Sequence, residues 1–181
     1  MSHYSDNELL KRFNESENPG YAFDLIVRKY QEQVYWHIRR LVTCHEDAND
    51  IAQNVFLKAW IALPDFRGES GLFTWLYRIA TNEALSFLKK KKTHFYFTIE
   101  GENQQTINSL ESEAYFSGDE IEKKIQKAIF SLPEKQRVVF NLRYYDEMKY
   151  EDMSKILDTS EGALKASYHH AVKKIEKFLT S

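Results

Sequence analysis

The 181 residues of the chain are enough for one ordinary domain or two small ones, and 43% of them are hydrophobic. No stretch approaches the roughly 18 apolar residues of a membrane span, and the polar N-terminus does not resemble a secretory signal. We therefore expect a cytoplasmic protein without membrane insertion. Cys44 is the single cysteine, which excludes an internal disulfide, and no second ligand pair matches Cys44 and His45, so we predict neither metal nor cofactor.

Acidic residues are concentrated in the middle of the chain, although the net charge is only -2. Residues 98–120 contain six acids and no Lys or Arg, whereas the segments before and after them carry about +1 and about +3. The same stretch is rich in Glu, Asn, Gln, Ser and Thr and shows no apolar period. The pattern predicts a flexible acidic linker at 98–118, between a first domain at 1–97 and a second domain at 119–181.

The first half shows apolar residues at helical spacing in four segments. The second of these helices is predicted to span about 21–41, and Pro64 is predicted to end the third. The predicted N-caps of the first, third and fourth helices are Asp6, Asp47 and Ser70. Residues 95–99 form the one run with β character, so the sequence predicts an all-α protein.

The fourth helix follows a sharp turn at residues 67–69 and runs into the lysines at 89–92. Its notable side chains are Phe73, Trp75, Tyr77, Arg78 and Asn82. Aromatic rings stack on unpaired bases, an Asn amide can read a base edge, and lysines can follow phosphates. A core helix with a solvated charged end would show a similar pattern, so this segment alone leaves both interpretations open.

The second half predicts a helix-turn-helix. Pro133 opens one helix at its first position. A short helix over about 150–157 is followed by a turn and by a final helix that Ser160 caps and that continues to about Phe178. This last helix ends in a cluster of lysines. The pattern favours DNA binding, although helical hairpins without that function are common.

Three segments, at 47–60, 66–88 and 132–165, together resemble the sigma-70-type factors of bacterial RNA polymerase, specifically the short extracytoplasmic-function group. The resemblance implies two small helical domains joined by the acidic linker, the C-terminal one containing the helix-turn-helix. It implies a factor that binds core polymerase, reads the minus-10 and minus-35 promoter elements and helps to melt DNA. The partners it implies are core RNA polymerase, promoter DNA and an anti-sigma factor.

The resemblance also assigns roles to residues. Those implied to bind polymerase are Asp50, Gln53, Asn54 and Lys58. Those implied to bind the minus-10 element are Phe66, Arg67, Tyr77, Arg78 and Asn82. Those implied to bind the minus-35 element are Ser160, Glu161, Gly162, Lys165, Ala166 and His169.

The chain departs from the family pattern at four positions. Ser167 and His170 stand where Arg is usual in the final helix, and Lys149 stands where Ser or Thr usually begins the preceding helix. Losing two Arg removes contacts that contribute about 1–3 kcal/mol each when bidentate. We therefore expect weaker minus-35 contacts or a different sequence read. Asn54 replaces the usual Glu on the docking helix, which is a milder change.

Three other functions compete with this interpretation. A helix-turn-helix regulator with a sensing N-terminal half would explain the second half but not the aromatic, basic fourth helix. An enzyme is disfavoured because the sequence has no Gly-rich phosphate loop and no nucleophile paired with a base, so we predict no catalytic residues. A decoy that mimics a sigma factor would usually need an added receiver domain, for which no residues remain.

Overall fold

The computed structural model describes residues 4–42, 44–98 and 120–180, and their regular structure is entirely helical. The first half contains α1 Asp6–Glu15, α2 Pro19–Arg39, α3 His45–Ala62, a 3-10 turn Leu63–Asp65, and α4 Leu72–Thr98. The second half contains α5 Glu120–Phe130, α6 Glu134–Tyr144, α7 Tyr150–Leu157 and α8 Glu161–Thr180. The all-α prediction is confirmed, and the predicted linker lies outside the described residues except for Thr98.

The β character assigned to residues 95–99 is wrong for the part that is described, because α4 continues through Thr98. Aromatic residues favour strands only weakly and in a context-dependent way. Extending an existing helix by one residue avoids the cost of nucleation. The long helix that precedes the aromatic run therefore decides its structure.

All three N-caps predicted for the first half lie at the wrong residue. Ser5 caps α1, with Glu8 N–H donating to Ser5 Oγ at 3.3 Å and Ser5 N–H donating to the Glu8 carboxylate at 2.7 Å. Asp6 instead receives bonds from Lys29 at 2.7 Å and from the Tyr30 hydroxyl at 2.5 Å. This arrangement ties α1 to α2, and a capping box satisfies two helix-end donors at once.

The other two corrections concern α3 and α4. Helix α3 begins after Cys44, which leaves Asp47 in the first turn, where its carboxylate lies 2.8 Å from Lys91 Nζ. Helix α4 begins at Leu72, and the Ser70 hydroxyl contacts the Gly71 carbonyl rather than a helix N–H. Neither the Asp47 carboxylate nor the Ser70 hydroxyl therefore caps its helix as predicted.

Helix α2 forms the centre of the first half and packs against α1, α3 and α4. Its buried stripe has a step of four residues and comprises Ala22, Ile26, Tyr30, Val34 and Ile38. The facing stripes of α3 and α4 include the small residues Ala48, Ala59, Ala80 and Ala84. Each fully buried Ile or Leu contributes about 1.5–3 kcal/mol, and the alanines allow the helix axes to approach closely.

The second half contains the predicted helix-turn-helix. The turn between α7 and α8 passes through Asp158 in the left-handed conformation, with φ of 48°. Ser160 caps α8, since Ala163 N–H donates to Ser160 Oγ at 3.4 Å. Helices α5, α6 and α7 all contact α8. This part of the prediction is confirmed.

The two halves share one hydrophobic core. Helix α7 packs against α4. Residues of the second half join the same buried cluster as the first-half bundle, namely Val138, Val139, Leu142, Met148, Met153, Ile156 and Leu164. A smaller cluster around Phe140 and Ala171 belongs to the second half alone. The halves are therefore in direct contact.

Candidate nucleic-acid interface

The turn before α4 presents one aromatic and one basic residue. Gly68 adopts φ of 72°, a conformation that a side chain disfavours, and this allows the chain to turn sharply into the helix. Phe66 is half-buried and its ring lies 5.1 Å from the ring of Trp75. Arg67 is exposed. Trp75 is itself half-buried, so it supports Phe66 rather than pointing to solvent.

Tyr77 is buried, with only 2% of its surface exposed. Its ring lies between Phe73 at 4.2 Å and His37 at 4.6 Å. Its hydroxyl lies 3.2 Å from the Gln33 carbonyl and 3.4 Å from the carboxylate of Asp146. Burial, followed by the negative charge of Asp146, raises the pKa of Tyr77 above its ordinary value. Tyr77 is thus enclosed by residues of the first half and contacts the second half through Asp146.

Arg78 and Asn82 lie one turn apart on an exposed side of α4. Neither makes an ion pair or a side-chain hydrogen bond among the residues that the structure describes. A free guanidinium and a free amide at this spacing can contact a phosphate and a base edge of one strand. Of the five predicted minus-10 residues, Arg78 and Asn82 share this exposed side of α4, whereas Tyr77 is buried.

The lysines near the C-terminal end of α4 differ in whether they are available to bind a phosphate. Lys90 is exposed, whereas Lys91 pairs with Asp47 at 2.8 Å and lies 5.5 Å from the Phe87 ring. The side chain of Lys92 lies outside the described residues. Lys91 therefore holds α4 to α3 in this conformation.

The predicted minus-35 residues lie together on the outer face of α8. All six are exposed: Ser160, Glu161, Gly162, Lys165, Ala166 and His169. The opposite face is buried through Leu164, Ala171 and Ile175. Lys165 lies 3.5 Å from Glu161 and 5.4 Å above the Tyr150 ring, so DNA would have to compete with that acid. In helix-turn-helix proteins, exposed residues near the start of the second helix read the major groove, and these six residues have that position on α8.

The predicted docking residues form an exposed stripe on α3. Asp50, Gln53, Asn54 and Lys58 are all exposed, and Lys58 pairs with Glu83 of α4 at 2.5 Å. The stripe also contains two apolar residues that sequence reasoning did not assign, Leu57 and Ile61, with 61% and 74% of their surfaces exposed. Leu57 lies three residues beyond Asn54 and Ile61 four residues beyond Leu57, outside the buried stripe of α3, a spacing that could have identified them.

Comparison with known proteins identifies the family. Residues 26–94 match the Sigma-70 region 2 model, and residues 122–175 match the Sigma-70 region 4 model. The RNA polymerase sigma-H factor of Pseudomonas aeruginosa is 33% identical, over 99% of this chain and 96% of its own length. The ECF RNA polymerase sigma-E factor of Escherichia coli is 32% identical, over 95% and 93%. The chain is an extracytoplasmic-function sigma factor of the sigma-70 family.

Solved structures share the fold of this sigma factor. The sigma factor RpoE, in complex with the anti-sigma factor NepR from Bartonella quintana, matches with a TM-score of 0.69 and 23% identity, over 87% of this chain and 96% of that one. CnrH, in complex with the cytosolic domain of CnrY, matches with a TM-score of 0.68 and 19% identity, over 97% of both chains. The two-part helical architecture is thus that of other sigma factors.

The matched regions coincide with the surfaces described above. Region 2 contains the exposed stripe of α3 and the aromatic helix α4, and region 4 contains the helix-turn-helix. The factor directs promoter-specific transcription initiation with core RNA polymerase. A helix-turn-helix regulator with an unrelated N-terminal half is thereby excluded.

Within the described ranges, no helix is both long and apolar enough to cross a membrane, and no group of three or more acidic, His or Cys side chains could hold a metal ion.

A cleft of about 290 Å³ lies between the two halves of the factor. Its lining residues are Glu32, Gln33, Trp36, Arg40, Phe73, Tyr77, Tyr145 and Asp146. Arg40 and Asp146 form an ion pair of 2.8 Å across it. The cleft thus combines aromatic rings with a charge pair that joins α2 to the residues after α6.

Proposed function

We propose that the factor reads its promoters through the two exposed faces of α4 and α8 and binds polymerase through the exposed stripe of α3. The observation that carries this proposal is the presence, in one chain, of all three surfaces with exposed polar side chains at the positions that the family resemblance assigns, apart from the buried Tyr77. The first domain would comprise residues 1–97, the second 119–181, and residues 98–118 would form the linker. We infer cytoplasmic function because promoters and polymerase are found there.

For the minus-10 element, we assign Phe66, Arg67, Tyr77, Arg78 and Asn82. Asn82 and Arg78 are exposed and one turn apart, which supports contact with a base edge and its phosphate. Holding a base outside the duplex costs a few kcal/mol, which stacking can offset by about 1–3 kcal/mol per base. Phe66 is half-buried beside the turn, so it could offer one ring face to such a base.

For the minus-35 element, we assign Ser160, Glu161, Gly162, Lys165, Ala166 and His169. A Cβ added at Gly162 would meet nothing within 4 Å in the chain itself. The absence of a side chain in this first turn therefore serves an approaching phosphate rather than internal packing, and the helix N-terminus favours that anion. Ser167 and His170 do not supply the usual Arg contacts, so polymerase must contribute much of the affinity for promoter DNA.

For core polymerase, we assign Asp50, Gln53, Asn54 and Lys58, and we add Leu57 and Ile61 because they lie exposed on the same stripe. We also propose an anti-sigma factor as a partner. RpoE was solved in complex with the anti-sigma factor NepR, and CnrH was solved in complex with the cytosolic domain of CnrY. The surfaces offer stacking, hydrogen bonds and charge rather than a nucleophile and base. We infer that the factor acts by binding, without catalytic residues of its own.

The test compares open-complex formation by holoenzymes carrying single substitutions. Asn82→Ala should reduce opening and change the preferred minus-10 base, because alanine cannot form the amide's hydrogen bonds. Asn7→Ala, at an exposed Asn of α1, is the matched control. Lys165→Ala should instead weaken duplex binding and lower the salt slope by about one unit, whereas Lys177→Ala in the last turn of α8 should not. Full opening and an unchanged base preference with Asn82→Ala would defeat the minus-10 assignment.

A further inference from the structure

Helix α7, the first helix of the helix-turn-helix, begins without a side-chain cap. Its N-cap residue is Lys149, which has an extended backbone and whose side chain forms no capping hydrogen bond. An ammonium group cannot accept a bond from the N–H groups of the first turn, and its charge is unfavourable at the positive end of the helix dipole. By contrast, Ser160 caps the next helix of the same motif. Lys149 therefore lowers the stability of its own helix, which points to a use outside folding.

The main chain around Lys149 is firmly held. Met148 is 5% exposed, and its N–H donates to the Leu142 carbonyl at 3.0 Å. The Arg143 guanidinium donates to the Met148 carbonyl at 3.0 Å, and Met153 N–H donates to the Lys149 carbonyl at 3.0 Å. These contacts fix the point from which the Lys149 side chain extends, and a charged group on a rigid element loses less entropy when it binds.

The ammonium group of Lys149 is available to an anion. The residue is exposed and forms no ion pair or side-chain hydrogen bond within the part of the chain that the structure describes. The two acids in the first turn of α7, Glu151 and Asp152, lie 2.9 and 3.9 Å from Lys155 Nζ instead. Lys155 thus offsets the charge of these acids, and Lys149 can attract a negative group from outside the chain.

Tyr150 connects the start of α7 to the outer face of α8. The centre of its ring lies 5.4 Å from Lys165 Nζ and 5.3 Å from the Arg143 guanidinium. Lys165 belongs to the exposed face that carries the proposed minus-35 residues. The start of α7 therefore borders that face, and Lys149 adds a cation at its edge.

In helix-turn-helix complexes, the second helix lies in the major groove while the first helix crosses the sugar-phosphate backbone. A lysine at the start of the first helix therefore meets a phosphate rather than a base edge. We propose that Lys149 binds a backbone phosphate at the edge of the minus-35 element, and that the chain gives up a helix cap to place a cation there. The contact compensates in part for the arginines that Ser167 and His170 do not supply. This inference rests on the proposed function of α8 as the reader of the minus-35 element.

The proposal predicts opposite effects on stability and on DNA binding. Lys149→Ser should raise the midpoint of thermal unfolding of the full chain, because a serine hydroxyl can accept a bond from the first turn of α7. The same change should weaken binding of the holoenzyme to duplex DNA about three- to tenfold and lower the salt slope by about one unit, because one counterion fewer is released. A residue with a purely structural role would change stability without changing the salt slope.

The experiment measures the fluorescence anisotropy of a labelled promoter duplex, at several salt concentrations, with holoenzymes carrying each variant. The duplex is one recovered from a genomic library by transcription with the unmodified holoenzyme. Lys149→Met removes the charge at similar length and supplies no cap, so it should lose affinity as Lys149→Ser does, without the gain in stability. Lys149→Arg keeps the charge and should retain both the affinity and the salt slope.

Lys135→Ser is the matched control. Lys135 is an exposed lysine in the first turn of α6. The adjacent Gln136 contacts Lys174 at 2.9 Å, which lies about 20 Å along α8 from Glu161. The control therefore removes one lysine from the same half of the chain, away from the first turns of α8, and should leave the salt slope unchanged.

Neutral methylphosphonates identify the phosphate that is bound. Phosphates beside the minus-35 element are replaced one at a time. At one position the unmodified holoenzyme should lose affinity, and the holoenzyme carrying Lys149→Ser should lose nothing further. Losses that add to the effect of Lys149→Ser at every position overturn the direct contact.

An affinity and a salt slope unchanged by Lys149→Ser overturn the inference. An equal loss with Lys135→Ser also overturns it, because the effect would then be one of general charge. A loss with Lys149→Ser but not with Lys149→Met overturns it as well, since the charge would not matter. A loss of affinity without a gain in stability supports the phosphate contact and overturns the exchange for a cap.

Lys165→Ala separates this inference from the proposed function. If Lys165→Ala weakens duplex binding and Lys149→Ser does not, the minus-35 assignment of α8 stands and only the role of Lys149 is wrong. If neither change affects duplex binding, the minus-35 assignment is wrong as well.

Discussion

Replacing the exposed apolar residues of α3 should weaken polymerase binding without destabilising the factor. Leu57 and Ile61 are 61% and 74% exposed, although a factor acting alone gains nothing from exposing them. Burying a complete Leu or Ile side chain is favourable by about 1.5–3 kcal/mol. Burying the exposed fractions of both against polymerase would therefore contribute about 2–4 kcal/mol.

The magnitude can be converted to affinity. Alanine retains Cβ, so Leu57→Ala with Ile61→Ala should remove about 1.5–3 kcal/mol of the binding free energy. That loss raises Kd for core polymerase by about 10- to 150-fold. The free energy of unfolding should change by less than about 0.5 kcal/mol, because both positions are exposed and alanine is a good helix former.

The assay is a titration of labelled factor with core polymerase, followed by thermal unfolding of each variant. Ile121→Ala is the matched control for Ile61→Ala, since Ile121 is 66% exposed on α5 and lies in the other half of the chain. If Leu57→Ala and Ile61→Ala each raise Kd no more than the control does, these residues do not contact polymerase and the reasoning is refuted.

Two other predictions concern pH and organisation. Burial, reinforced by Asp6 for Tyr30 and by Asp146 for Tyr77, raises the pKa of both tyrosines in the folded state, so their contribution to stability should be fully present below about pH 10 and should be lost above it by about 1.4 kcal/mol per pH unit per tyrosine. Tyr77→Phe should lessen that slope in alkaline denaturant titrations, and an identical slope would argue against the buried hydroxyl. Residues 98–118 should be the first site of limited proteolysis, because their composition has too few apolar residues to offset ordering entropy of about 1–2 kcal/mol per residue. First cuts within 72–91 or 134–175 would contradict the two-domain organisation.

Periodic apolar residues made the helices predictable, because each buried stripe repeats the spacing that the sequence displays. The stripe of α2 at Ile26, Tyr30, Val34 and Ile38 is an example. Helix ends were less predictable. Asp6 and Asp47 have the right chemistry for a cap, but each forms an ion pair with a lysine distant in sequence, Lys29 or Lys91, which local patterns do not reveal. Residues 95–98 were misread because local β preference ignores the helix already in progress.

Exposure of the site was predictable where it depends on one helix, as for Asn82 and Lys165. It was not predictable for Tyr77, because the residues that contact its hydroxyl, Gln33 and Asp146, lie 44 and 69 positions away. The sequence indicated an aromatic ring suited to stacking, and only the tertiary packing, with Phe73 and His37 beside the ring, determines whether that ring is accessible. The apolar pair Leu57 and Ile61 was overlooked because apolar residues in a helix are ordinarily assigned to the core.

Reconstituted transcription tests the central claim most directly. The factor, added to core polymerase that is free of other sigma factors, is expected to yield transcripts from a limited set of promoters in a genomic library. The variant carrying Asn82→Ala should shift that set at the minus-10 position, and the variant carrying Lys165→Ala should depress it in a salt-dependent manner. Failure to bind core polymerase, or transcripts no different from those of core polymerase alone, would contradict the account.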